Sequence, residues 1–338
     1  MRLTLNEIAK LIDAKIIGDA SVEILGINTL ANATLSQISY AVSKKYNKLL
    51  TNSNAGAVIV DESLKNYCST NVLLVENVYL AYSILTHKFK HLQDINQLQP
   101  VSEVISSFTG IDISLSCVIG KNVNIGENSS IGANCVFEDD VSIGINSRIE
   151  SNVTIQKGSQ IGKNCVISPG VIIGSEGFGN ARDKDNKWSA IAHLGNVIIG
   201  DNVSIGANTT IDRGSIDNTE IHNGVKIDNL VHIAHNVVIG EDTAIAGTTG
   251  IAGTTVIGKR CMIGGKVGIV GHLTITDDVI VNATSTVNRS ITKPGVYTGF
   301  VPLMLHSEWK KVGIWSVSYT HLRAHETPEH LVCRLLLE

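Results

Sequence analysis

The densest run of side chains able to move a proton is Asp228-Asn229-Leu230-Val231-His232-Ile233-Ala234-His235-Asn236. An imidazole titrates near neutrality, and with a carboxylate close by it is ordinary equipment for a general base. Ile233 belongs to an inward register described below, so His232 beside it points outward, and His235 falls two residues later at or near a turn. Side chains so placed do not chelate one metal together. Asp228, seven residues before His235, and the more distant His272 complete the group. A second histidine cluster invites a false reading. His325-Glu326 followed by His330 spaces the histidines five apart rather than four, and Pro328 breaks the helix that a zinc-protease motif requires.

What must position these residues is a repeat. Every sixth residue from Ile113 through Ile119, Ile125, Ile131, Phe137, Ile143, Ile149, Ile155, Ile161 and Ile167 to Ile173 is bulky and apolar. Helices recur at 3.6 and half-buried strands at 2.0, so a sustained six is an internal repeat and predicts a solenoid. Gly follows the apolar residue at Gly120, Gly126, Gly132, Gly144, Gly162 and Gly174, as expected of turns whose φ other residues resist. Four positions after it the slot is small or β-branched, as at Val123, Ser129, Cys135 and Ser147. The register is interrupted at Ser175–His193, resumes at Ile199, Ile205 and Ile211, slips by four, and then runs from Ile221 to Val281. A polar interruption of that length must leave the solenoid, because its backbone cannot be satisfied in the core.

The totals agree with such an array. The 31 glycines fit turns, and 4% aromatic content fits a core of stacked Ile. With 27 basic and 31 acidic residues the net charge is −4, which gives no electrostatic argument for nucleic acid. No apolar run reaches the length of a membrane span, and Arg2, Glu7 and Lys10 are out of place in a signal peptide, so a cytoplasmic location is expected. The six cysteines form no C-x-x-C pair. Cys117, Cys135, Cys165 and Cys261 occupy the small slot and are expected to be buried packing residues.

Residues 1–99 lack the period and predict an α/β domain. Helical spacing is seen over Asn6–Ala14 and Ala81–Phe89, with short buried strands at Ala57–Val60 and Val72–Val75. Within it, Tyr40, Ser43 and Tyr46 set two aromatic rings beside hydroxyl and basic groups, a combination able to stack on a nucleotide base. A short linker around Pro100–Thr109 leads to the array, assigned to 100–302. Pro294 and Pro302 are expected to end it, and residues 303–315 to begin a helical cap. Residues 316–338 have no repeat, and their wording resembles a translated cloning or adapter sequence rather than native chain.

The hexads are the pattern of the left-handed parallel β-helix. Together with Asp228-Asn229, Ile233-Ala234-His235-Asn236, Gly271-His272, Gly177-Phe178-Gly179 and Pro294-Gly295-Val296-Tyr297, they make residues 1–314 resemble the UDP-3-O-(3-hydroxyacyl)glucosamine N-acyltransferases of lipid A biosynthesis. That resemblance implies a homotrimer with active sites between subunits. It also implies transfer of a 3-hydroxyacyl chain from acyl carrier protein to the 2-amine of a UDP-linked glucosamine, with no metal and no cofactor beyond the carrier's thioester. His235 would be the base, Asp228 its support, the Gly253 N–H an oxyanion donor, and His272 a phosphate ligand. Tyr40, Ser43 and Tyr46 would hold the uracil, although Tyr40 stands where Phe is usual and Ser43 where Asn is usual. The acyl groove would end near Ala283–Asn288, and Arg289, Lys293, Lys310 and Lys311 would dock the acidic carrier. Three other readings have distinct signatures. O-acylation of UDP-N-acetylglucosamine occurs on the same fold without such an N-terminal domain. A γ-carbonic-anhydrase-like trimer would need zinc on three of these histidines, and a scaffold would bind no UDP-sugar.

Overall fold

The computed structural model describes residues 2–90, 98–104, 108, 110–300 and 303–311. Residues up to Gly299 form one compact unit, and the chain from Phe300 a second.

The N-terminal part is α/β. Helix α1 (Leu5–Ile12) opens on a capping box in which the Thr4 hydroxyl accepts from the Glu7 N–H and the Glu7 carboxylate accepts from the Thr4 N–H. A five-stranded sheet runs in the order Lys15–Ile17, Asn71–Leu74, Ala57–Val60, Gln37–Tyr40, Gly26–Ile27, antiparallel at its first pair and parallel thereafter. Alternation along the central strand decides which layer each residue joins. Ile59 packs with α1 and α3 (Val78–Lys90), whereas Val58 and Val60 pack on the other side with Leu50 of α2 (Asn47–Asn52).

From Asp112 the chain is a left-handed parallel β-helix of strands two to four residues long. Each strand pairs with the one 18 residues later wherever the period is unbroken, as in Val118↔Val136 and Ile125↔Ile143. Three flat faces result, named here by their first inward residues: the Ile113, Ile119 and Ile125 faces. The inward Ile, Val and Phe residues form one continuous core along the array. Each fully buried Ile contributes roughly 1.5–3 kcal/mol, which explains how strands of two residues persist.

The corners show a different use of glycine from the one expected. Gly120, Gly126, Gly132, Gly144 and Gly162 are not in the left-handed region; that conformation falls two residues later, on Asn122, Asn128, Asn134, Asn146 and Asn164. Asparagine tolerates it and ladders between coils, Asn122 Nδ2 donating to Asp140 Oδ1 at 3.0 Å and Asn164 Nδ2 to Asn202 Oδ1 at 3.2 Å. Glycine is required instead by close approach. A Cβ on Gly144 would lie 2.6 Å from the Lys163 nitrogen of the next coil. Gly174, at φ 92°, is the exception that fits the sequence argument.

The small slot also has a polar purpose. Cys135 Sγ, Ser147 Oγ and Thr243 Oγ1 each donate to a carbonyl 15 residues onward, at 3.1, 3.0 and 2.8 Å. Cys117, Cys135, Cys165 and Cys261 are buried, as their spacing predicted.

The start of the array is capped rather than merely linked. Gln99–Pro100 pairs antiparallel with Val118–Ile119, and the short helix α4 (Val101–Val104) buries Val101 in the prism core. At the other end the pattern outruns Val281. Thr286–Val287 adds a strand, Ile291 bridges to Ile275, and Gly295–Tyr297 pairs with Val279–Val281 beyond Pro294. In the second unit residues 306–311 are helical. The foreign-looking stretch 316–338, with His321, His325 and His330, lies outside the described residues.

Candidate active site

Both breaks in the hexad period fall on one corner. The excursion between Ile172–Ser175 and Val197–Ile199, and the four extra residues between Thr210–Asp212 and Thr219–Ile221, each connect the Ile119 face to the Ile125 face. His235 follows His232–Ile233 on the Ile119 face, so it stands at this same corner, one coil beyond the second break. The long excursion folds as a hairpin, Asn180–Arg182 against Trp188–Ala190, and carries the N-terminal domain. Ser83 Oγ donates to Ala190 O at 2.7 Å, His87 Nε2 lies 2.7 Å from the same oxygen, and the Ala192 N–H donates to Thr86 Oγ1 at 3.1 Å. Lys90 pairs with Glu176, and Tyr82 packs with Ala181 and Ile191.

The tautomer of His235 follows from its neighbour. Asn236 Oδ1 accepts from the Ser215 N–H at 3.0 Å and from Ser215 Oγ at 2.8 Å, while its Nδ2 donates to Asp217 O at 2.7 Å. The amide is thereby oriented, and an oxygen 3.1 Å from His235 Nδ1 can only accept. In the neutral ring Nδ1 therefore carries the proton and Nε2 the free lone pair. The orienting group comes from the four-residue insertion, which supplies both Ser215 and Asp217.

Directly above, the stack is bare. At several corners the N–H at the second position after an inward residue is taken by a side chain of the next coil: Lys121 by Asp139 at 2.8 Å, Lys163 by Asp201 at 3.0 Å, Lys259 by Asp277 at 2.9 Å. At the His235 corner the corresponding residues are Gly253 and Gly271. Gly271 offers no side chain, and among the described residues the Gly253 N–H has no acceptor. Gly253 is itself required by the ring beneath it, since a Cβ there would lie 2.7 Å from both Cε1 and Nε2 of His235.

Other expected residues are placed as follows. His272 is exposed at the left-handed position of this corner, φ 61°, its N–H donating to Gly253 O at 3.0 Å. It stands two coils from Asn236, roughly 10 Å at ordinary strand spacing. Asp228 is not brought to His235 within the chain. It follows Lys226–Ile227 on the Ile113 face, a full side of the triangle away, and its carboxylate accepts from the N–H groups of Asn229 and Gly247 at 2.8 and 2.9 Å. There it borders a cavity of about 490 Å³ along Ala244, Met262 and Ile280 that ends at Asn282 and Ala283. His232 faces outward, Nδ1 2.9 Å from Thr210 Oγ1 and Nε2 3.7 Å from Asp212 Oδ2. Among the described residues no three His, Cys, Asp or Glu converge as a metal site.

In the N-terminal domain Tyr40 stacks one ring face on Tyr82, centroids 4.1 Å apart, and its hydroxyl pKa is raised by burial. Ser43 caps the turn Lys44–Tyr46, and Lys45 Nζ lies over the Tyr46 ring at 4.8 Å. Arg289 and Lys293 are exposed near the end of the array, and Lys310 and Lys311 are exposed on the second unit's helix.

Three further residues of this corner went unread in the sequence. Asn236 sits inside the quoted motif but without a role. His193 lies at the end of the excursion, its ring 5.2 Å from that of His235. Arg213 is buried and binds the two breaks together, donating from Nε to Gly195 O at 2.7 Å and from its Nη2 to Asn196 Oδ1 at 2.8 Å. Counting hexads in threes would have placed both interruptions on the His235 corner.

The comparisons with known proteins match this architecture part by part. Residues 21–88 match the family described as UDP-3-O-(3-hydroxymyristoyl) glucosamine N-acyltransferase, and 140–175 and 218–253 match the bacterial transferase hexapeptide repeat. The UDP-3-O-acylglucosamine N-acyltransferase of Ruthia magnifica subsp. Calyptogena magnifica is 58% identical over 92% of this chain and 93% of its own. The chain belongs to this N-acyltransferase family. Another N-acyltransferase, from Coxiella burnetii, is 39% identical over 91% of both chains. The crystal structure of UDP-N-acetylglucosamine O-acyltransferase from Moraxella catarrhalis shares the fold, with TM-score 0.52 and 23% identity over 66% of this chain and 90% of that one. Family membership makes the chain an N-acyltransferase, and the corner holding His235 is where its N-acyl transfer chemistry is sought.

Proposed function

We propose that this N-acyltransferase moves a 3-hydroxyacyl chain from acyl carrier protein to the 2-amine of UDP-3-O-(3-hydroxyacyl)glucosamine, in lipid A biosynthesis, with His235 as the general base. The observation that carries the reading is His235 Nε2, the ring nitrogen left unpaired when Nδ1 donates to Asn236, lying against Gly253, whose N–H has no acceptor among the described residues. As the amine nitrogen attacks the thioester carbonyl, Nε2 takes one of its protons and the Gly253 N–H donates to the developing oxyanion. Collapse of the tetrahedral adduct breaks the C–S bond, the departing sulfur takes the proton back from His235, and an amide remains. Asn236 holds the ring in the required tautomer throughout. Being neutral, it orients the imidazolium without the full attraction a carboxylate would give.

A homotrimer is the arrangement that reconciles the remaining residues. The base stands on one corner, while Asp228 and the apolar cavity ending at Ala283 stand on another. A neighbouring copy that sets its His235 against this cavity would combine base, carboxylate and acyl groove in one cleft. His272 would take a phosphate and Tyr40, Ser43 and Tyr46 the uracil. Arg289, Lys293, Lys310 and Lys311 would attract the acidic carrier. No described helix is long and apolar enough to cross a membrane, and a cytoplasmic site of action suits the carrier. The test is His235→Ala, assayed for amide formation from acyl carrier protein and the UDP-sugar. A fall of about 10²-fold or more is expected, and activity within a few-fold of the parent rejects the role.

A further inference from the structure

His193 is an imidazole that folding alone does not account for. It is 1% exposed, and its Nδ1 lies 3.1 Å from Ile191 O, a carbonyl that can only accept. Nδ1 therefore bears the proton and Nε2 is a bare acceptor. Among the described residues that Nε2 is buried without a hydrogen-bond partner. Leaving such an atom unsatisfied is costly, and an apolar side chain of similar size would avoid the cost.

The acceptor lies beside the base. A point one bond out from Gly177 is 2.9 Å from His193 Nε2 and 3.0 Å from His235 Cδ2, so the two rings converge on one notch roofed by Gly177. Gly179 covers the other side, its own added Cβ falling 3.0 Å from His193 Cε1. Between the two glycines Phe178 is 92% exposed and anchors nothing in the core. A roof of that composition is the part of the corner able to yield to a bound molecule. The floor is fixed, because Ala190 and Ala192 are tied to Ser83, Thr86 and His87 of α3.

We propose that His193 is a binding residue for the acceptor sugar, its Nε2 accepting a hydrogen bond from an N–H or O–H of the amino sugar next to the nitrogen that His235 deprotonates. The inference rests on the reading of His235 as base. Burial, then the proximity of His235, holds the His193 imidazole down to about 4, so it stays an uncharged acceptor at neutral pH. A second cation beside a base that must accept a proton would oppose the reaction, and a neutral acceptor does not.

The experiment uses the full chain with His193→Leu, which removes the acceptor, and His193→Gln, which keeps one. Binding of the UDP-linked 3-O-acylglucosamine is measured by calorimetry without donor, together with thermal midpoints and the KM for each substrate. His193→Leu should melt no lower than the parent yet bind the acceptor sugar about tenfold more weakly, with the donor KM within about twofold. His193→Gln should recover binding to within about threefold. The proposal is overturned if His193→Leu binds the sugar as the parent does, or if it loses binding only along with its fold, or if Gln fails to rescue. Because calorimetry involves no turnover, it reads His193 even if His235→Ala retains activity and the base assignment falls.

Discussion

At the scale of single residues, the corner works through lone pairs whose direction is set by neighbours. His235 owes its free Nε2 to Asn236, and Asn236 owes its orientation to Ser215 and Asp217. Asn236→Leu should therefore lower kcat by about 10²-fold with little change in KM, because the ring loses its tautomer rather than its place. Steady-state kinetics against both substrates would check it. His193 carries a stability consequence with a definite sign. Its folded pKa, about 4, lies below the ordinary 6.5. Between those values the unfolded chain holds a proton there that the folded chain does not. Its contribution is complete above 6.5 and is lost as pH falls through 4, by up to about 3 kcal/mol. Urea melts from pH 7 to 4 should show this loss, and His193→Leu should flatten that part of the profile.

At the scale of the element, the coil corner explains which glycines are structural and which are chemical. Gly144 is needed because the next coil's backbone passes 2.6 Å from where a Cβ would be. Gly144→Ala should cost roughly 1–3 kcal/mol, read as a lower urea midpoint, because only backbone can give way. Gly253 faces a side chain instead. Gly253→Ala should turn the His235 ring and abolish most activity while changing the melting midpoint less than Gly144→Ala does. Equal destabilisation by the two would remove the distinction drawn here. The small slot follows the same logic of contact between coils, which is why Cys, Ser and Thr exchange there freely: each can donate to the carbonyl 15 residues onward in the next coil.

At the scale of the whole molecule, the N-terminal domain is joined to the His235 corner by the excursion that interrupts the prism. Tyr40 rests on Tyr82, Tyr82 on Ile191, and two residues later His193 meets His235. Assembly should matter as much as this docking. If Asp228 of one copy serves His235 of the next, then His235→Ala and Asp228→Ala chains, each inactive alone, should regain measurable activity when refolded together as mixed trimers. Failure of mixing to restore any activity would confine the two residues to separate functions.

The sequence by itself determined the solenoid, its register and the burial of four cysteines, because a six-residue period is a local property repeated many times, and its motif resemblance supplied the candidates His235, Gly253 and His272. It also marked where the period breaks. Only the tertiary structure decided that both breaks open on one corner, that Asn236 rather than Asp228 orients His235 within a chain, and that His193 lies against it. The reason is geometric: paired strands in a β-helix stand 18 residues apart along the chain, and further apart when an insertion intervenes. A partner such as Ser215 or His193 leaves no mark on the local spacing from which a sequence is read.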